Sequence, residues 1–292
     1  MKYLQTFSLF ESRTPGTLTP EQESFLNLYT KGTWSVNSST GLVDVQGLFH
    51  CSGHGLKSLG GIRFGTVTGN FDCRTNQLTT LEGAPRTVEG NFWCNWNQLT
   101  TLEGAPRTVE GNFDCYSNKL TTLEGAPRTV GGNFVCHDNK LTTLEGAPRT
   151  VEGNFDCYSN KLTTLEGAPQ KVGGDFDCYS KKLTTLEGAP QTVTRYFRCY
   201  DFILNPGEWN PTGWLQVLQE GSPKAQKLIQ TLPYLQPDWW NSELSKDPAR
   251  TIQLLAPWWS QMSDELKRGI RIPPGYEDRF EMRSELSDLG LF

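Results

Sequence analysis

The chain has 292 residues, 36% of them apolar, and a formal net charge of −5 from 27 basic and 32 acidic side chains. That charge is too small and of the wrong sign for a nucleic-acid footprint. No stretch approaches the run of about 20 apolar residues that spans a bilayer, so neither nucleic acid nor membrane is expected as a partner.

The opening MKYLQTFSLFES carries one lysine and then alternates apolar with polar residues. It lacks the continuous apolar stretch of a signal peptide, and a cytoplasmic location is expected. Thr19-Pro20-Glu21-Gln22 reads as an N-cap, a proline at the first helical position and a capping-box glutamine. The helix should run to about Lys31 and stop at Gly32. Trp34–Val36 and Leu42–Val45 then form a hairpin about Asn37-Ser38-Ser39-Thr40-Gly41, so that residues 1–44 make an N-terminal cap.

Residues 45–204 are repetitive. Cys51, Cys73, Cys94, Cys115, Cys136, Cys157, Cys178 and Cys199 recur at a spacing of 22 and then a constant 21. A unit runs from Val67 to Thr87, later copies begin at Val88, Val109, Val130, Val151 and Val172, and a truncated one begins at Val193. A degenerate first copy begins at Val45 and keeps Phe49, Cys51, Leu56 and Leu59. The pattern V-x3-F-x-C-x2-N-x-L-x2-L-E-G-A-P matches the leucine-rich consensus at Phe71, Cys73, Asn76 and Leu78. The expected fold is an α/β solenoid: a leucine-rich-repeat-type parallel β stack of about eight repeats with helical N- and C-terminal caps.

Each position has a mechanical reason. Phe71 and Cys73 are two apart, so a strand turns both inward and Asp72 outward. Asn76 should turn the chain with its amide on backbone groups that the strand leaves unpaired. Leu78 and Leu81 fill the return arc, and Gly83-Ala84-Pro85 bends the convex side. Evenly spaced cysteines read as small apolar filler, although strands about 4.8 Å apart do not exclude bridging by distance alone. A ladder one residue wide offers no tetrahedral metal set. His50 and His54 beside Cys51 are a weak zinc signal, and no metal or cofactor is expected.

From residue 205 to 292 the composition changes. Six of the nine tryptophans lie there, at Trp209, Trp214, Trp239, Trp240, Trp258 and Trp259. Starts such as Ser222-Pro223 and Asp247-Pro248 divide the segment into short helices. It reads as a cap or small domain whose tryptophans pack its core. The adjacent pairs keep a partner-docking face open, because neighbours on a helix cannot both point inward.

The repeats also form an internal alignment. LTTLEGAP is identical in all six full copies, while variation concentrates on the outward face of the strand. One column reads Asp72, Trp93, Asp114, Val135, Asp156, Asp177, Arg198. The next reads Arg74, Asn95, Tyr116, His137, Tyr158, Tyr179, Tyr200, and the third Thr75, Trp96, Ser117, Asp138, Ser159, Ser180, Asp201. A frozen core beneath a variable acidic–aromatic face points to a concave surface for a protein partner with a basic surface of its own. The candidate contact residues are the members of the first column except Val135, the whole second column, and Trp96 and Asp138 from the third. Aspartate beside aromatic rings also suits sugars, so a carbohydrate-binding or virion-associated module is the alternative. On the convex side, Glu82, Glu103, Glu124, Glu145, Glu166 and Glu187 could interleave with Arg86, Arg107, Arg128 and Arg149 as solubility features.

Catalysis is not expected. Phosphate-binding glycine loops are absent as functional units, and three histidines leave little for acid–base work. The Asp column recurs by duplication, whereas an active site is normally built once.

Three segments carry a further likeness: the entry LTPEQESFLNLYTKGTWSVNSSTGLVDVQGLFHCS, the repeat LTTLEGAPRTVEGNFDC and the exit EGSPKAQKLIQTLPYLQPDWWNSEL. On these the chain resembles uncharacterised leucine-rich-repeat proteins of tailed phages. The resemblance implies a phage accessory protein that binds and blocks host or defence machinery, and it supplies no activity to transfer.

Overall fold

The computed structural model describes residues 17–276 apart from 201, 206, 233, 234, 260 and 261, with only the backbone described at 211, 212, 215, 254, 257 and 258. Thr19 opens helix α1 (Pro20–Tyr29) through the expected reciprocal box. Its hydroxyl accepts from the Gln22 backbone N–H, and its own N–H donates to Gln22 Oε1. The chain then enters strand β1 (Thr30–Val36), which pairs antiparallel with β2 (Val43–His50).

From β2 onward the chain is a parallel β-solenoid of about seven turns of about 21 residues. The expected first copy exists as β2, which seeds the coil. Each regular turn carries two strands of two residues, not one longer strand. Thr87–Val88 precedes Phe92–Trp93, for example, and Thr108–Val109 precedes Phe113–Asp114. The valine displaced from the leucine-rich consensus therefore belongs to a ladder of its own, with Val67 opposite Val88 and Val88 opposite Val109. The phenylalanine ladder runs in register from Phe49 opposite Phe71 to Phe176 opposite Phe197.

Between the two ladders the chain turns a corner at a Gly-Asn pair. Asn70, Asn91, Asn112, Asn133 and Asn154 each accept from the backbone N–H one turn later, at 2.7 to 2.9 Å. A Cβ on Gly90 would stand 2.5 Å from Asn70 Oδ1, so only glycine lets that bond form. A second asparagine ladder closes the other end of the phenylalanine strand. Asn97 donates to the Cys73 and Cys94 carbonyls, both at 3.0 Å, and accepts from the Leu78 N–H at 2.9 Å. This is the turning role expected of Asn76, and Asn118, Asn139 and Asn160 repeat it.

Inside the coil, Phe71, Cys73, Leu78 and Leu81 and their equivalents are buried. Successive phenylalanine rings stack at 5.0 to 5.5 Å from Phe49 to Phe197. Burying each contributes roughly 1.5–3 kcal/mol. None of the eight cysteines forms a disulfide. In-register parallel strands keep their Cβ vectors parallel, and a bridge needs them to converge.

Both ends of this aromatic column are closed by the caps. Tyr29 and Phe25 of α1 cover Phe49, while Gln22 donates to the Gly61 carbonyl. At the other end the antiparallel strand Phe202–Leu204 folds back on Phe197–Cys199. Trp209 then stacks on Phe197 at 3.9 Å, and its indole N–H donates to the Pro190 carbonyl. Helices α2 (Pro211–Glu220), α3 (Pro223–Ile229), α4 (Pro237–Lys246), α5 (Pro248–Trp259) and α6 (Asp264–Gly269) follow. Trp214, Trp240 and Trp259 are buried among them, and Trp239 packs half-buried against the same core. The side chain of Trp258 lies outside the described residues. No described helix is long and apolar enough to cross a membrane.

Candidate functional site

Strand alternation sends the residue after each ladder phenylalanine to the outside of the coil, and the residue two further on follows it. The sequence columns therefore form one strip along the coil, but its two ends differ from its middle. At the entry end Asp72 is 2% exposed, not presented to solvent. His50 Nδ1 and Arg74 Nε approach its Oδ2 at 3.0 and 3.2 Å, and the Arg74 guanidinium lies 4.9 Å over the half-buried Trp93 ring. Asn95 is also 2% exposed, and its side-chain oxygen makes no hydrogen bond. At the exit end Arg198 donates to Asp175 at 2.7 Å and lies 4.6 Å over Tyr196. Lys224 of α3 stands 4.3 Å over Tyr200.

The middle of the strip holds the rest. His137 is stacked between Tyr116 and Tyr158, with ring centroids 4.6 and 4.4 Å away. Its Nδ1 donates to Asp138 at 2.8 Å, which holds the ring orientation. Trp96 sets its ring edgewise to Tyr116 at 6.3 Å and is 57% exposed. Tyr179, 48% exposed, meets Tyr200 instead of extending the stack. Asp114, Asp156 and Asp177 are half-buried beside these rings. Among the described residues Asp114 and Asp156 have no ion pair or side-chain hydrogen bond, and Asp177 accepts only from the Tyr179 N–H.

Burial without a partner has an electrostatic consequence. Loss of solvent pushes the Asp114 carboxyl up to about 6, against the pull of Arg74 and His137. Burial, aided by the neighbouring charge of Asp177, does the same to Asp156, also to about 6. Asp177 is raised by burial too, and the Tyr158 phenol moves upward first through burial and then through Asp138.

Three sequence expectations need adjustment. Thr75, Trp96, Ser117, Asp138 and Ser159 lie in a left-handed turn with φ of 51 to 56°, not on a strand. The turn is what swings Trp96 and Asp138 clear of the surface, and Asp201 is outside the described residues. Ser180 leaves this geometry because Lys181 replaces the ladder asparagine, and its hydroxyl is buried on the Leu162 carbonyl. The glutamate and arginine ladders of the opposite side do not interleave: no ion pair joins them among the described residues. Exposed pairs of that kind contribute only about 0–1 kcal/mol, so nothing holds long side chains together there. Asp175 and Tyr196 were missed as partners of Arg198, although Asp175 is visible in the sequence as the one copy where the corner asparagine becomes an acid.

Among the described residues no three His, Cys, Asp or Glu side chains gather as a metal-binding set. Compared with protein-family models, curated proteins and solved structures, the chain finds no match.

Proposed function

We propose that this protein is a non-catalytic binding solenoid that holds a protein partner of basic surface on the middle of its outward strip. One observation carries the reading: Asp114 and Asp156 are half-buried and unpaired beside a rigid Tyr116–His137–Tyr158 stack. An acid kept without a partner at a partly desolvated position costs stability, and a cation brought by another molecule removes that cost. Aromatic side chains supply contact area with little rotamer entropy to lose, which suits a hot spot. The resemblance to tailed-phage proteins makes a host or defence protein, met in the cytoplasm and blocked by binding, the partner to look for.

The glycan reading has less support. A sugar ring stacks on an aromatic face, and within the stack those faces are spent on one another, leaving Trp96 and Tyr179 as platforms. Capture from host lysate with the wild-type chain, with Asp156→Lys and with Tyr158→Ala tests the main reading. A protein retained by the first and lost from both variants is the expected result. Retention by all three, or no captured protein together with a hit on a glycan array, overturns it.

A further inference from the structure

The strip solves the same problem twice with its own residues. At the entry end Asp72 is met by Arg74, whose guanidinium also lies over Trp93 at 4.9 Å. At the exit end Asp175 is met by Arg198, whose guanidinium lies over Tyr196 at 4.6 Å. Between them the ingredients recur without the cation. Asp114 and Asp156 are the register partners on either side of Val135, which occupies the column position that Arg198 holds at the exit end. A separate observation points the same way. The Asn95 side-chain oxygen, on the outward side one turn before Tyr116, is buried with no hydrogen-bond partner. Buried acceptors are ordinarily satisfied, and this one lacks a donor that the chain does not provide.

We infer that the central turns are a receptor for an arginine side chain of the partner, seated over Val135 between Asp114 and Asp156 and against the edge of the tyrosine–histidine stack. This rests on the protein-binding reading and specifies its chemistry. Strands about 4.8 Å apart place the Asp114 and Asp156 backbones about 10 Å from each other, so that carboxylates leaning toward Val135 come within the roughly 8 Å that one guanidinium donating to both can span. A lysine ammonium is a point charge that cannot reach both, and it is more strongly hydrated.

Calorimetric titration of the full chain with capped hexaarginine and capped hexalysine tests this. The arginine peptide is expected to bind about tenfold more tightly. Asp114→Asn with Asp156→Asn should abolish that preference, and so should Val135→Arg, which supplies the guanidinium from the chain itself. Glu103→Gln with Glu124→Gln, the same charge change on another side of the coil, should leave it intact. Thermal melts confirm that each variant folds. Equal affinity for both peptides, or a preference that survives Val135→Arg, overturns the inference while a basic partner captured from lysate still stands. Failure of both peptides to bind overturns it as well, and an empty capture then removes the broader reading too.

Discussion

The central aspartates set a dependence on pH opposite in sign to that of salt-bridged carboxylates. Their folded values near 6 lie above the ordinary 3.8, so between those limits the folded chain binds more protons than the unfolded one. Stability therefore rises as pH falls through about 6 toward 4, and the cost is fully present only at pH values well above 6. Asp114→Asn and Asp156→Asn should each stabilise the protein near neutral pH by about 1 kcal/mol once solvent screening is allowed for, or about 2–4 °C in Tm. The same substitutions weaken binding, and paired melts and titrations read both effects. The cysteines give a second residue-scale test. Burial raises every thiol from Cys51 to Cys178 for which a shift is resolved, so the reactive thiolate is scarce and inaccessible. An aromatic disulfide reagent should find none of the eight in the native protein and all of them in denaturant.

At the scale of one turn, the asparagine ladders matter more than their size suggests. Asn97→Ala strands the Leu78 N–H and takes one of two asparagine amides from each of the Cys73 and Cys94 carbonyls, which Asn76 and Asn118 still serve, and this should cost about 1–3 kcal/mol in denaturant unfolding. Gly90→Ala should cost a comparable amount, because its Cβ meets Asn70 Oδ1 and the Gly69 carbonyl carbon. The turn is also where the limits of the sequence are clearest. Phe71, Cys73, Asn76, Leu78 and Leu81 could be read because a one-dimensional stack repeats its core at its own period. The valine ladder was hidden, since a two-residue strand has no alternation to detect. The corner asparagines stood in plain view as a recurring Gly-Asn, yet fell inside the unassigned part of the repeat pattern. Burial of Asp72 and Asn95 was not legible either: what covers Asp72 is His50 and Arg74, and alternation says which way a residue points, not what folds over it.

At the scale of the molecule, stability is the sum of turns and their interfaces, closed at both ends. Deleting Val130–Thr150 removes one whole turn in register, and a folded chain with a lower Tm is expected. The deletion also removes Val135 and His137 and brings Asp114 beside Asp156 as like charges, so binding should be lost where folding is kept. Ending the chain after Asn205 removes Trp209 from Phe197 and the Thr231 hydroxyl from the Leu186 N–H. That truncation should aggregate, which light scattering detects. A soluble monomeric truncation would instead make the helical segment an independent unit.

Among the described residues the caps meet the coil at its two ends, and this has a consequence for heredity. The segments Val109–Pro127 and Val151–Pro169 are identical over 19 residues, so their coding sequences are natural sites for unequal recombination. Each crossover there adds or removes whole turns while Phe49 still meets Tyr29 and Phe197 still meets Trp209. A gene built this way changes the length of its recognition strip by whole turns, two at a time between these copies, with a foldable product at every step.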